Sequence, residues 1–239
     1  MSQQVEVACR AADTGVFDKA VRTCALVVPD EPEFAACQAL IASVYRQVGL
    51  HQSAQAFDER GLRAPAHDDL GRAMCSLGLA ADLVGVGDRA GARAALAAAA
   101  PAVAEVPAWH WGARWFDPWL TEAWVAAEVH LLSDEPDAAV RVLQPFADMK
   151  PRTNPTTRWP FERAKTLLFL GVAERCVGQP DAAGHLTVAA RMCQEAGLDP
   201  LLLPAVEQLA TLDPLQAAAY DSAVAAARRR MLRHRPPAP

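Results

Sequence analysis

Residues 77–100 read LGLAADLVGVGDRAGARAALAAAA, and this stretch decides the fold. Apolar residues recur at helical spacing before Gly87 and again from Ala92 onwards. Glycine ends a helix readily, because it adopts the left-handed backbone conformation that other residues avoid. A small residue such as Ala92 lets the second helix approach the first closely. The stretch therefore predicts two antiparallel helices joined by a tight turn.

The same pattern, Gly or Asp followed five residues later by Ala, recurs along the chain at intervals of 34 to 47 residues. The turn positions and their alanines are Gly15 with Ala20, Gly49 with Ala54, Gly87 with Ala92, Asp134 with Ala139, and Gly178 with Ala183. The last two turns share the tetrapeptide Pro-Asp-Ala-Ala, at Pro136 and Pro180, and proline suits the first turn of a helix. Repetition at such intervals is typical of stacked helical repeats.

The composition agrees with a folded, helical chain. Of 239 residues, 52% are apolar and 21% are charged, which argues against a disordered protein. Ile and aromatic residues are sparse, which disfavours a β-sandwich or barrel. The net charge of −5 does not favour nucleic-acid binding. We find no signal peptide and no apolar run long enough for a membrane span, so we expect a cytoplasmic protein with no membrane contact.

The repeats resemble the tetratricopeptide-repeat (TPR) family, which places small residues within its helices and Gly and Ala around its turns. The residues that match best are Ala42, Tyr45, Gly49, Ala54, Ala80, Leu83, Gly87, Ala92, Leu96 and Ala99. The resemblance covers about residues 1–197, and the later repeats look most like the divergent TPR regions of bacterial signalling and transcription regulators.

The resemblance implies an all-α, right-handed superhelical solenoid of about five antiparallel helix pairs. We expect one domain over residues 1–239, with repeats at 1–34, 35–72, 73–118, 119–160 and 161–197. Residues 198–235 are expected to form C-terminal capping helices, one of which begins at Asp213 and Pro214 and carries an apolar stripe to Met231.

A TPR solenoid presents the first helix of each pair on its concave face. On this face we predict a partner-binding set consisting of Arg46, Gln47, Trp124, Glu128, Lys165 and Arg175. The best-known TPR mode holds a peptide carboxylate with Lys and Asn. Because Asn154, in a loop, is the only asparagine, we do not expect that clamp here.

Tryptophan is concentrated in two insertions between the repeats. The residues of this possible aromatic patch are Trp109, Trp111, Trp115, Trp119 and Trp159. Two interpretations stay open: the rings fill an irregular repeat junction, or they hold a ligand or a partner residue.

We find no catalytic motif and no metal-ligand spacing, and therefore expect neither enzyme activity nor a metal or other cofactor. The six cysteines are expected to be reduced and buried as small apolar residues. Residues 228–235 contain five arginines at a helix C-terminus, which favours a solvated helix end over a basic docking site.

The best functional interpretation is a non-catalytic adaptor or regulatory module that binds a protein or peptide on its concave face. The alternative is a regulatory domain that senses a small molecule near the tryptophan-rich insertion. The sequence does not identify the partner, the ligand or the oligomeric state.

Overall fold

The computed structural model describes residues 3–65, 69–106, 117–148 and 158–239. Within these ranges the chain forms helices and no strand, so the all-α prediction is confirmed. In chain order the helices are α1 (Gln3–Asp13), α2 (Phe17–Cys24), α3 (Phe34–Gln47), α4 (His51–Leu62), α5 (Asp69–Gly85), α6 (Arg89–Glu105), α7 (Pro118–Leu132), α8 (Pro136–Ala147), α9 (Trp159–Cys176), α10 (Ala182–Ala196), α11 (Asp199–Ala210), α12 (Pro214–Ala218) and α13 (Asp221–Arg233).

The recurring turn residue has a left-handed backbone at every occurrence. The φ angle is 78° at Gly15 and Gly49, 79° at Gly87 and 71° at Gly178. Asp134 occupies the same place with φ of 59° and is the one non-glycine residue of the described chain with positive φ. Asp tolerates this conformation better than most residues, because its short polar side chain can bond locally.

Helices that follow one another in sequence pack together, beginning with α1 on α2, α3 on α4 and α5 on α6. Each odd-numbered helix from α1 to α9 also contacts the next odd-numbered helix, so α1, α3, α5, α7, α9 and α11 are neighbours in space. The turn alanines Ala20, Ala54, Ala92 and Ala139 are buried where paired helices meet. This order brings one face of each odd-numbered helix towards a common interior.

The first three helices meet later parts of the chain at a set of contacts that we call the terminal junction. Arg158, just before α9, donates two hydrogen bonds of 3.0 Å to the carboxylate of Asp13 at the end of α1. The Asp18 amide donates to the carbonyl of His234 at 3.1 Å, and the Tyr45 hydroxyl donates to the carbonyl of Pro237 at 2.9 Å. The series of odd-numbered helices is therefore closed on itself.

The five arginines of the C-terminal cluster are all exposed, which agrees with the expectation of a solvated helix end. One of them also bonds to the protein, since Arg230 donates two hydrogen bonds of 2.6 Å to Asp199, whose side chain is buried. Met231 packs against the N-terminal core, where a Cβ added to Gly15 would lie 2.9 Å from its Cγ. The helix that carries the cluster is therefore attached to the rest of the molecule by Arg230 and Met231.

Three local predictions differ from the structure. Pro180 lies two residues before α10 rather than in its first turn, and Ala182 is more deeply buried than Ala183 there. The expected single helix from Pro214 to Met231 is broken into α12 and α13, since the chain turns at Ala219 and Tyr220. Cys176 is exposed, whereas the other cysteines are buried.

In the described ranges, no helix combines the length and the apolar character that crossing a bilayer requires.

Candidate functional site

The interior faces of the odd-numbered helices line a cavity of about 290 Å³ that is partly open to solvent. Helices α3, α5, α7 and α9 provide most of its wall, and His51 of α4 and Pro200 and Leu201 of α11 complete it. The structure brings together most of the predicted partner-binding set here, since the lining includes Arg46, Gln47, Trp124, Glu128 and Lys165.

Arg46 is held by two buried carboxylates. Its Nε donates to Asp82 Oδ1 at 2.8 Å, and its Nη2 donates to Asp58 Oδ2 at 2.7 Å. Burial alone would lower the pKa of Arg46, but the two carboxylates raise it above its ordinary value. Burial also raises the pKa of Asp58 well above its usual range; Asp82 adds to this rise and Arg46 opposes it. Arg46 is thus bound by two carboxylates of the protein within the wall of the cavity.

Two glycines of α5 make room for this network. A Cβ at Gly78 would lie 2.1 Å from Asp58 Oδ2 and 2.8 Å from Arg46 Nη2. A Cβ at Gly85 would lie 2.1 Å from the His51 ring. Because glycine has no side chain, Arg46 of α3 and Asp58 and His51 of α4 can pack closely against α5.

Lys165 extends between aromatic rings rather than towards a carboxylate. Its Nζ lies 4.5 Å from the ring centroid of Trp124 and 5.3 Å from that of Phe169. Trp124 is fixed in place, because its Nε1 donates to Thr166 Oγ1 at 2.9 Å. Burial lowers the pKa of Lys165 to about 8, and Glu128 opposes part of this shift. The aromatic faces stabilise the ammonium without neutralising its charge.

Glu128 presents the negative group of the cavity. Burial raises its pKa above the ordinary value, and Lys165 is the strongest of the nearby charges that oppose this shift. Glu128 and Lys165 form no ion pair and no hydrogen bond with any residue of the described chain. The cavity therefore holds one anion and one cation that form no hydrogen bond with the residues that the structure describes.

The terminal junction supplies the remaining wall. Arg158 is buried against Asp13 and stacks over Phe161, with its Cζ 4.3 Å from the ring centroid. Phe161 in turn meets Trp124 edge to face at a centroid distance of 6.3 Å. The Asp13–Arg158 ion pair and the aromatic lining of the cavity thus pack against each other.

The other predicted site residues lie elsewhere. Arg175, towards the end of α9, is outside the cavity lining, as are Trp119 and Trp159. Trp119 is 41% exposed, and Trp159 is half-buried with Arg163 over its ring. Trp109, Trp111 and Trp115 lie outside the described residues.

Sequence reasoning missed His51, Arg158, Phe161 and Phe169 as parts of the lining. Two of these had a usable signal. Phe161 and Phe169 stand four residues before and four residues after Lys165, and residues four apart share one face of a helix. Arg158 and His51 reach the cavity only through tertiary packing.

No protein-family model matches the chain, and no curated protein or solved structure is significantly similar to it. The resemblance to TPR proteins therefore rests on the repeated residues of this chain alone. In the ranges that the structure describes, no three His, Cys, Asp or Glu side chains are grouped so that they could hold a metal ion.

Proposed function

We propose that this chain is a non-catalytic, ligand-binding regulatory domain that takes a small molecule into its central cavity. The observation that carries the proposal is the partly open cavity of about 290 Å³, lined by Glu128 and Lys165, which have no ion-pair or hydrogen-bond partner in the described chain. Ligand sites are concave, mostly apolar and equipped with a few polar groups that orient the ligand. Such sites usually measure about 300–1,000 Å³, so this cavity suits a compact metabolite.

We also propose that the helix pairs are TPR-like repeats of a solenoid. Left-handed turn residues between paired helices and the stepwise contacts of the odd-numbered helices support this. The terminal junction supports a small molecule over an extended chain as the ligand. An open TPR groove accepts a peptide along its length, whereas here the Asp13–Arg158 ion pair ties α1 to the segment just before α9.

A peptide or protein partner is the second candidate. It is favoured by Gln47, whose buried Oε1 has no hydrogen-bond partner in the described chain and would accept from a backbone N–H. The two candidate functions predict different effects on binding when the terminal junction is opened. A variant that breaks the Asp13–Arg158 pair should improve access for a peptide but should weaken the binding of a small molecule.

The test is to fill the cavity. Ala81 lines it on α5, so Ala81→Phe should occupy the space in which a ligand lies. Ala94→Phe, at an exposed position of α6, is the matched control. A panel of neutral, anionic, cationic and zwitterionic metabolites is screened by tryptophan fluorescence and by thermal shift. We expect at least one compound to bind the wild type and Ala94→Phe but not Ala81→Phe. Equal binding to all three proteins, or no binding by any compound, would contradict the proposal.

A further inference from the structure

Two charges of the cavity are left without a partner although their neighbours are paired. Arg46 is held by Asp58 and Asp82, and Arg158 is held by Asp13. Glu128 and Lys165 line the same space and form no ion pair or hydrogen bond within the described chain. Both residues are half-buried, and a ligand that fills the cavity displaces water from these charges, which then need a partner. A ligand that pairs with both side chains must therefore carry a cation for Glu128 and an anion for Lys165.

The two groups lie near each other, because Glu128 follows Trp124 by one turn of α7 and Lys165 Nζ lies 4.5 Å from the Trp124 ring centroid. Among the charges that affect Lys165, Glu128 has the largest effect, and among those that affect Glu128, Lys165 has the largest. A ligand that pairs with both must therefore carry its own two charges close together. The rest of the cavity is apolar or aromatic near them, with Trp124, Phe169 and Leu77 in the lining.

We infer that the cavity binds a zwitterionic small molecule of the α-amino acid class with an apolar side chain. Its carboxylate accepts from Lys165 Nζ, and its ammonium group donates to the carboxylate of Glu128. Its side chain packs among the aromatic and aliphatic residues of α5, α7 and α9. This inference rests on the proposed function, since it names the chemistry of the ligand that the cavity holds.

Amino acids and their singly charged analogues give a matched set of probes. L-Phenylalanine is compared with 2-phenylethylamine, which lacks the carboxylate, and with 3-phenylpropanoate, which lacks the ammonium group. L-Leucine is compared with 3-methylbutylamine and 4-methylpentanoate in the same way. Calorimetric titration at pH 7 measures the dissociation constant of each compound. We expect at least one amino acid to bind more than tenfold tighter than both of its analogues, because each analogue displaces water from one charge of the cavity without pairing with it.

Two variants test the assigned contacts. Lys165→Met and Glu128→Gln should each weaken binding of the amino acid by at least tenfold. Lys19→Met and Glu195→Gln remove charges at exposed positions and should leave binding unchanged. Circular dichroism of the free variants checks that the helices are intact.

The outcomes separate this inference from the proposed function. If the singly charged compounds bind as tightly as the amino acids and Ala81→Phe still abolishes their binding, the inference of a zwitterionic ligand is wrong. The proposal that the cavity binds a small molecule is then kept. The same conclusion follows if none of the six probes binds while another compound of the metabolite panel does. If no compound of any class binds, the inference and the proposed function both fail.

Discussion

Lys165 holds a positive charge at a place where the described part of the chain offers aromatic faces but no carboxylate within bonding distance. Burial lowers the pKa of Lys165 to about 8, against 10.5 for the free side chain. The folded protein therefore binds this proton more weakly than the unfolded chain does. Between pH 8 and pH 10.5 the unfolded chain carries more protons, so the free energy of unfolding rises with pH in this window. Below pH 8 the protonated lysine destabilises the fold by a constant amount.

Replacing Lys165 should consequently stabilise the free protein. We expect Lys165→Met to raise the free energy of unfolding by about 1 to 2 kcal/mol at pH 7, because an apolar side chain avoids the cost of a buried charge. The gain should shrink as the pH rises from 8 towards 10.5. Urea denaturation across this range, with Lys19→Met as the exposed control, measures it. A variant less stable than the wild type at pH 7 would mean that Lys165 serves the fold rather than a ligand.

A residue of the site could be predicted from the sequence only where its position on a helix determines which way its side chain points. Gln47, Trp124, Glu128 and Lys165 were predicted from their places on first helices, and all four line the cavity. Arg46 was predicted on the same basis as a partner-binding residue, but it is bound by Asp58 and Asp82. The sequence spacing of these two carboxylates does not show that they meet one guanidinium, because that depends on how α4 and α5 approach α3.

At the scale of the helices, the close approach of α3, α4 and α5 depends on Gly78. An added Cβ there would lie 2.1 Å from Asp58 Oδ2, which is closer than any real contact allows. Gly184, in α10, has no atom within 4 Å of the same position. Replacing each glycine by alanine therefore measures a different effect on stability: packing at Gly78 and helix propensity at Gly184.

We expect Gly78→Ala and Gly184→Ala to change stability in opposite directions. Gly78→Ala should lower the free energy of unfolding by about 1 to 3 kcal/mol, because the Arg46–Asp58 pair must move. Gly184→Ala should raise it by up to about 1 kcal/mol, since alanine favours a helix over glycine. Chemical denaturation of both variants checks this. A stabilised Gly78→Ala variant would show that the ion-pair network is not packed against α5 as described.

The helices were more predictable than the charge network, because their signals are local. Left-handed glycines and the apolar spacing on either side of them mark the turns at Gly15, Gly49 and Gly87. The prediction failed at Pro180, where the last of these turns is longer and α10 begins at Ala182. It also failed at Ala219 and Tyr220, where no glycine or proline marks the break between α12 and α13.

At the scale of the whole molecule, the Asp13–Arg158 pair joins segments 145 residues apart. Both side chains are buried, with 8% of each exposed. Removing one partner of a buried ion pair leaves the other charge poorly compensated. We expect Asp13→Ala to lower the free energy of unfolding by about 3 kcal/mol.

The matched control for this pair lies on the same helix. Glu6 forms an exposed ion pair with Arg10, and Glu6→Ala should cost about 1 kcal/mol or less. Thermal and urea denaturation of the two variants compare them. Equal, small losses would indicate that the terminal junction contributes little and that the concave face opens easily.

Closure of the molecule was not predictable from the sequence. Each turn and each helix pair is a local event, but in the solenoid that we propose the meeting of α1 with Arg158 depends on the small rotation between successive pairs, summed over the chain. The same accumulation decides whether the concave face is an open groove or a cavity. For this reason the sequence favoured a peptide groove, whereas the contacts of the terminal junction favour a small ligand.

The central claim is that the cavity lined by the odd-numbered helices is a site for a small molecule. The most direct measurement is calorimetric titration of the wild type, Ala81→Phe and Ala94→Phe with the compounds that shift the melting temperature of the wild type. We predict saturable binding with one site per chain to the wild type and to Ala94→Phe, and no measurable binding to Ala81→Phe. Binding to Ala81→Phe with an unchanged dissociation constant would contradict the claim, because it would place the ligand outside the cavity.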